Sequence, residues 1–333
     1  MHHHSNGPTP WRRLISMLHP ERVHINYIFV YALLGGLISL SIPLGITAVF
    51  NLLLNGAIYS STYILITVVV IGVVIAGLML IGQLTLVEAI EQKIFTRTAM
   101  EFAYRLPRIK KNQLDGSYPP ELVNRFFDIL TIQKGLSKFL VNIITSGVTM
   151  IFSVILLAFY HPVFIAMGTF ILLVMAGIVL LYFRRGVKTS VQESAYKYHL
   201  VAYLENIAGD LDNHREEEAM EQILQKTDKM NASYLRARND HFRVLRKFFT
   251  SSVVIRTVMI GALLLVGSWF VVEREMTLGQ FVAAEVIIVQ MGYAIEKLFT
   301  SLDTIFDMVT GAEKLAAVTD LEIDEKHISH ESH

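Results

Sequence analysis

Between Ile25 and Val87 the chain carries no Asp, Glu, Lys or Arg, and the same holds from Phe139 to Phe183. A helix rising about 1.5 Å per residue crosses the hydrocarbon core of a bilayer in roughly 20 residues, so each stretch is long enough for two passes. Asn55-Gly56 divides the first into spans at 26–54 and 59–87, and His161-Pro162 divides the second into 139–160 and 163–183. Two further apolar runs, 257–272 and 277–299, flank Glu273-Arg274-Glu275. The pattern predicts an all-α membrane protein with six transmembrane helices.

The polar stretches 88–138 and 184–247 are rich in helix-forming residues, which predicts long helical extensions reaching some 30 Å beyond the membrane. Each has one break that reads as a tip. Asp115-Gly116-Ser117-Tyr118-Pro119-Pro120 interrupts the first, with Pro120-Glu121 suited to open a short new helix, and Gly209-Asp210-Leu211-Asp212-Asn213 interrupts the second. In segment 9–24, Trp11, Leu14, Ile15 and Leu18 share one side and Arg12 and Arg13 another, as expected of an elbow helix lying on the membrane surface. Residues 1–8, with His2, His3 and His4, read as a tag-like or disordered leader, and 317–333 as a polar tail.

Charge changes the picture through its distribution. Lys and Arg number 29, as do Asp and Glu, which gives no basic field to suggest nucleic acid. The basic residues nevertheless gather beside one set of span ends, and the opposite connections hold only Arg274. By the positive-inside rule both termini and both extensions are cytoplasmic. A mean hydropathy of +0.47 agrees with a lipid-embedded chain. The absence of cysteine excludes disulfides and thiol chemistry.

Candidate chemistry is sparse. Glu285 lies well inside the last span, where a carboxylate is unfavourable unless it faces protein or water; with Gln290 it is a candidate for lining a pathway, and a structural bond between helices is the competing reading. Arg256 reads as a snorkelling residue without a direct pair to Glu285. Gln83 and Asn142 read as hydrogen-bonding glue between helices, and Glu88 and Glu91 as solvated or salt-bridged positions. His327, His330 and His333 recur every third residue and form a weak metal pattern on a tail that favours fraying. No H-E-x-x-H, G-x-S-x-G or G-x-x-x-x-G-K-[ST] motif occurs, so no catalytic residue and no phosphate loop are expected in this sequence.

Two passages carry a resemblance. Arg105-Leu106-Pro107 followed by Ser117-Tyr118-Pro119-Pro120-Glu121-Leu122-Val123-Asn124-Arg125, together with Met276-Thr277-Leu278-Gly279-Gln280-Phe281-Val282-Ala283-Ala284-Glu285, resembles the transmembrane domain of type I ATP-binding cassette (ABC) exporters over 25–316, closest to the protein- and peptide-secreting branch. Leu204-Glu205-Asn206-Ile207-Ala208-Gly209 resembles the second coupling region. The chain departs from the family where Tyr-Pro-Pro replaces the usual Thr-Gly-Asp tip and where Asp210-Leu211-Asp212-Asn213-His214 replaces a basic-ended continuation.

The resemblance implies a homo- or heterodimer around a central pathway in a bacterial-type inner membrane, with a peptide or protein substrate and a periplasmic adaptor as a further partner. It also implies nucleotide-binding domains, on a separate or removed polypeptide, that hold ATP and Mg. Those domains would be contacted by Tyr118, Pro119, Pro120, Glu121 and Leu122 in the first tip and by Glu205, Asn206, Gly209 and Asp210 in the second. A non-transporting scaffold or sensor of the same architecture is the alternative. A six-span channel is disfavoured, because no filter-like loop separates the last two spans.

Overall fold

The computed structural model describes residues 10–54, 60–110, 119–209, 211 and 217–324. Its helices are α1 (Pro10–Leu18), α2 (Arg22–Ser39), α3 (Ser41–Leu54), α4 (Ser60–Arg105), α5 (Pro119–Asn124), α6 (Asp128–Ser137), α7 (Ile144–Tyr160), α8 (Pro162–Gly209), α9 (Glu217–Ala262), α10 (Ser268–Val272) and α11 (Leu278–Thr319). π-helical turns at Lys138–Ile143 and Leu263–Gly267 join α6 to α7 and α9 to α10. Strand pairing among the described residues is limited to one antiparallel bridge, Ile109 with Ile323. Six helical stretches are long and apolar enough to cross a membrane.

Helix length explains the shape. α4 has 46 residues, α8 has 48 and α9 has 46, so each extends about 70 Å, more than twice the hydrocarbon thickness. The apolar half of each continues without a break into a polar stem. Only 6% of the most apolar window of α4 is buried within the chain, against 50% for α11. An apolar surface as open as that of α4 is what a lipid-facing helix requires, whereas α11 runs through the protein interior.

The first apolar stretch is bent rather than straight. α2 ends at Ser39 and α3 begins at Ser41, because Pro43 has no N–H to donate to the Ser39 carbonyl. α11 opens on a capping box: Thr277 Oγ1 accepts from the Gln280 N–H at 3.1 Å, and Gln280 Oε1 accepts from the Thr277 N–H at 2.8 Å. Just before it, Arg274 has a left-handed φ of 64°. There the α7–α8 and α10–α11 corners meet, with the His161 ring stacked 3.7 Å from Phe270 and 3.1 Å from the Glu275 carboxylate.

Ion pairs join the stems where the sequence brings distant segments level. Glu21, between α1 and α2, is 5% exposed; its carboxylate accepts from Lys93 and Arg97 of α4, each at 3.1 Å, and lies 3.2 Å from His24. Arg13 of α1 donates to Asp320 at the end of α11 at 2.7 Å. Beyond α4, the Lys110 N–H donates to the Glu322 carbonyl at 3.2 Å and the Asp324 N–H to the Arg108 carbonyl at 2.8 Å, which ties the two chain segments side by side.

Candidate functional site

Two regions combine exposed apolar surface with placed polar groups: a groove on α11 and the far ends of the stems. The groove occupies about 420 Å³ between α11 and α3 and is lined by Ile42, Glu285, Val286, Val289, Gln290 and Tyr293. Positions 285, 286, 289, 290 and 293 share one helix face at the 3.6-residue period, so the two residues expected to line a pathway are brought together. α3 lies close against α11 because Gly279 has no side chain; a Cβ there would stand 2.7 Å from Asn51 Oδ1. The Glu285 carboxylate is exposed, and neither it nor the Gln290 amide has a hydrogen-bond partner among the described residues.

One end of the groove carries a pair that the sequence reading missed. Arg256 of α9 crosses to α11 and donates to Glu296 at 2.6 Å, with its guanidinium 5.7 Å from the Tyr293 ring. A signal was available, since Glu296 lies three helical turns after Glu285 on the same face. Glu285, Gln290, Tyr293 and the Arg256–Glu296 pair thus form a polar ladder along an apolar wall. Such a surface can hold an extended amphipathic ligand. It has no nucleophile beside a base. The glue residues take neighbouring helices: Gln83 Nε2 donates to the Ile28 carbonyl at 3.0 Å, and Asn142 Nδ2 to Ser301 Oγ at 3.3 Å.

At the first tip, Pro119 and Pro120 open α5. Tyr118 and the side chains of Pro119, Pro120 and Glu121 lie outside the described residues, as do Asp210 and His327, His330 and His333. Leu122, expected on an apolar knob, points inward and is buried at 7%, while the exposed apolar residues are Val123 and Phe127. The inward turn follows from Phe126, whose ring packs edge-on 5.4 Å from both Phe95 and Phe102 of α4 and sets the phase of the short helix. At the second tip Asn206 and Gly209 are exposed, and Glu205 is half-buried with its Oε2 unpartnered among the described residues.

Polar contacts brace the stems against one another. Asp128 of α6 is buried and accepts from the Tyr198 hydroxyl of α8. Burial raises the Asp128 carboxyl above the usual carboxylate range, and the bond from Tyr198 opposes the rise. Burial, followed by the Asp128 contact, holds the Tyr198 phenol up. A second cluster joins α8, α9 and α11, with ligand-type atoms of His241, Asp303 and Asp307 all within 4.8 Å. Thr189 Oγ1 donates to the Gly186 carbonyl at 3.0 Å and lies in hydrogen-bond contact with His241 Nδ1 at 2.8 Å; Ser190 Oγ donates to Asp307 at 3.2 Å. Asp303 and Asp307 stand four residues apart on one face of α11, which the sequence does show, but His241 of α9 and Thr189 and Ser190 of α8 join them only through the fold.

Glu91, expected to be solvated or salt-bridged, is half-buried. Burial first, and the neighbouring Glu88 second, push its carboxyl up to about 7 from an ordinary 4.5. Between those values the folded state holds a proton that the unfolded state has released, so stability falls as pH rises from 4.5 through 7 and then levels. Glu91→Gln removes that slope. Thermal melts from pH 5 to pH 8 are expected to show a smaller drop in Tm than the parent shows, and an unchanged drop counts against a partly buried Glu91.

Residues 25–295 match the ABC transporter transmembrane region. That match covers well over half of the 333 residues, and the chain belongs to this family of integral membrane domains. No curated protein matches the chain by sequence.

Proposed function

We propose that this chain is the transmembrane subunit of an ATP-driven exporter, which carries a peptide or protein segment through a pathway lined by Glu285 and Gln290. Two copies, or this chain and a related one, enclose that pathway. ATP and Mg bind a nucleotide-binding partner domain, and both stem tips face it from the cytoplasmic side of an inner membrane. One observation carries the reading: within a transporter-family chain, α11 runs as one helix from the groove at Glu285 into the stem, and α4 and α8 likewise run unbroken from an apolar stretch into a stem. A force applied at the tips therefore displaces the groove without a flexible joint in between.

The test uses membrane vesicles holding this chain and a cassette ATPase partner. ATP-dependent uptake of labelled peptide is expected, with peptide stimulating ATP hydrolysis. Val123→Asp combined with Phe127→Asp, both exposed at the first tip, should abolish the stimulation and leave the thermal stability of the subunit within about 1 kcal/mol, as for surface changes. Glu285→Gln should alter peptide selectivity while basal ATPase activity persists. Full coupling in the tip variant refutes the lever assignment. Absence of nucleotide-dependent uptake with any partner would favour the scaffold reading.

A further inference from the structure

A groove of about 620 Å³ lies between α8 and α9 where both helices leave their apolar stretches. Arg184, Arg185, Lys188, Arg243 and Lys247 line it, with one carboxylate, Asp240. That carboxylate is already taken, since Arg243 Nη1 donates to it at 2.8 Å. Lys247 rests with its Nζ 4.6 Å from the Tyr182 ring. Arg184, Arg185 and Lys188 have no carboxylate partner among the described residues, although they crowd little more than one turn of α8. Like charges at that spacing repel, and no carboxylate among the described residues relieves them. The groove therefore suits an anionic ligand.

Position identifies the anion. Arg184 immediately follows Phe183, the last residue of a charge-free stretch, and Lys247 precedes the apolar half of α9. The two helices run antiparallel, so their cations meet at one level, that of the membrane–water boundary. On the membrane side the same faces become apolar and open: Leu181, one turn from Arg185, is 69% exposed, and Val254 and Val258, about 10 and 16 Å beyond Lys247, are 53% and 60% exposed. A free phosphate compound would use the cations and leave that track empty. An anionic lipid uses both, with its phosphodiester forked by arginine and its acyl chains along Leu181, Val254 and Val258.

We propose that this groove binds the headgroup of an anionic phospholipid of the phosphatidylglycerol or cardiolipin class and so pins α8 to α9. The proposal rests on the membrane placement of these helices in the exporter reading, and on nothing about the substrate or the ATPase.

The test uses the purified full chain in detergent, with bound lipid read by native mass spectrometry and stability by thermal melts. Cardiolipin and phosphatidylglycerol are expected to bind at least about tenfold more tightly than phosphatidylcholine, to raise Tm, and to weaken with added salt. The triple variant Arg184→Gln, Arg185→Gln, Lys188→Gln should lose about tenfold or more in that affinity. Without lipid it should melt no lower than the parent, since it relieves repulsion. The control Lys229→Gln, Arg236→Gln, farther out on α9, should bind as the parent does. Equal protection by inorganic pyrophosphate overturns the proposal in favour of a soluble anion. Equal binding of phosphatidylcholine, or equal loss in the control, overturns it as well. No nucleotide or peptide enters the assay, so a failure here leaves the transport reading standing, and a failed transport assay leaves this one standing.

Discussion

Gly135→Ala is expected to destabilise the protein at or above the upper end of the about 1–3 kcal/mol that core overpacking costs. α6 crosses α11 at this glycine, and an added Cβ would lie 2.3 Å from Met308 Cβ and 2.8 Å from its Cγ. A Cβ position is set by the backbone, so no rotamer of Met308 relieves the clash and the helices must part. Gly186→Ala is a useful contrast. Its new Cβ would meet the far edge of the buried Phe306 ring at 2.4 Å, and that ring is held by Phe183 at 5.2 Å and Phe248 at 6.2 Å. Both single variants should therefore melt well below the parent. Phe306→Leu should restore much of the loss at Gly186, whereas Met308→Ala should restore little at Gly135. Full rescue by Met308→Ala would mean that side chains, and not backbones, set the α6–α11 distance.

The second large effect is an asymmetry at Glu21. Replacing Glu21 by Ala frees Lys93 and Arg97, whose side chains are 47% and 44% exposed and return to water. The expected cost is at the lower end for a broken ion pair, about 1–2 kcal/mol. Replacing Lys93 and Arg97 together by Gln instead leaves a carboxylate with 6% side-chain exposure and only His24 beside it. Stranding a buried charge costs about 3–5 kcal/mol. Melts of both variants at pH 7.5 decide the matter. Equal losses would show that the site is solvated.

The membrane architecture was legible because it depends on contiguous features. Charge-free stretches reveal spans, and His161-Pro162 and Asn55-Gly56 mark their division. What escaped depends on tertiary register. The partners of Glu21 are 72 and 76 positions away, with no local pattern to pair them. Arg256 sits near a span end, where snorkelling is the default, and only the proximity of α9 to α11 gives it Glu296. Glu285 and Gln290 share a face by periodicity, yet the wall opposite them needs the bend before α3. The resemblance gave Leu122 a partner contact at the first tip, but the docking of Phe126 determines which side of α5 is covered.

That bend separates two duties that a straight rod would merge. α2 is held to α4 by Gln83 and by the Glu21 corner, whereas Ile42, two positions past Leu40, borders the Glu285 groove. At the pivot Ser41 rests on Gly72, where a Cβ would meet its Oγ at 2.5 Å. The bend therefore hands α3 a second neighbour: Gly45 packs on Val69 of α4 while Asn51 packs on Gly279 of α11, so one short helix bridges the α2–α4 seam and the wall beside Glu285.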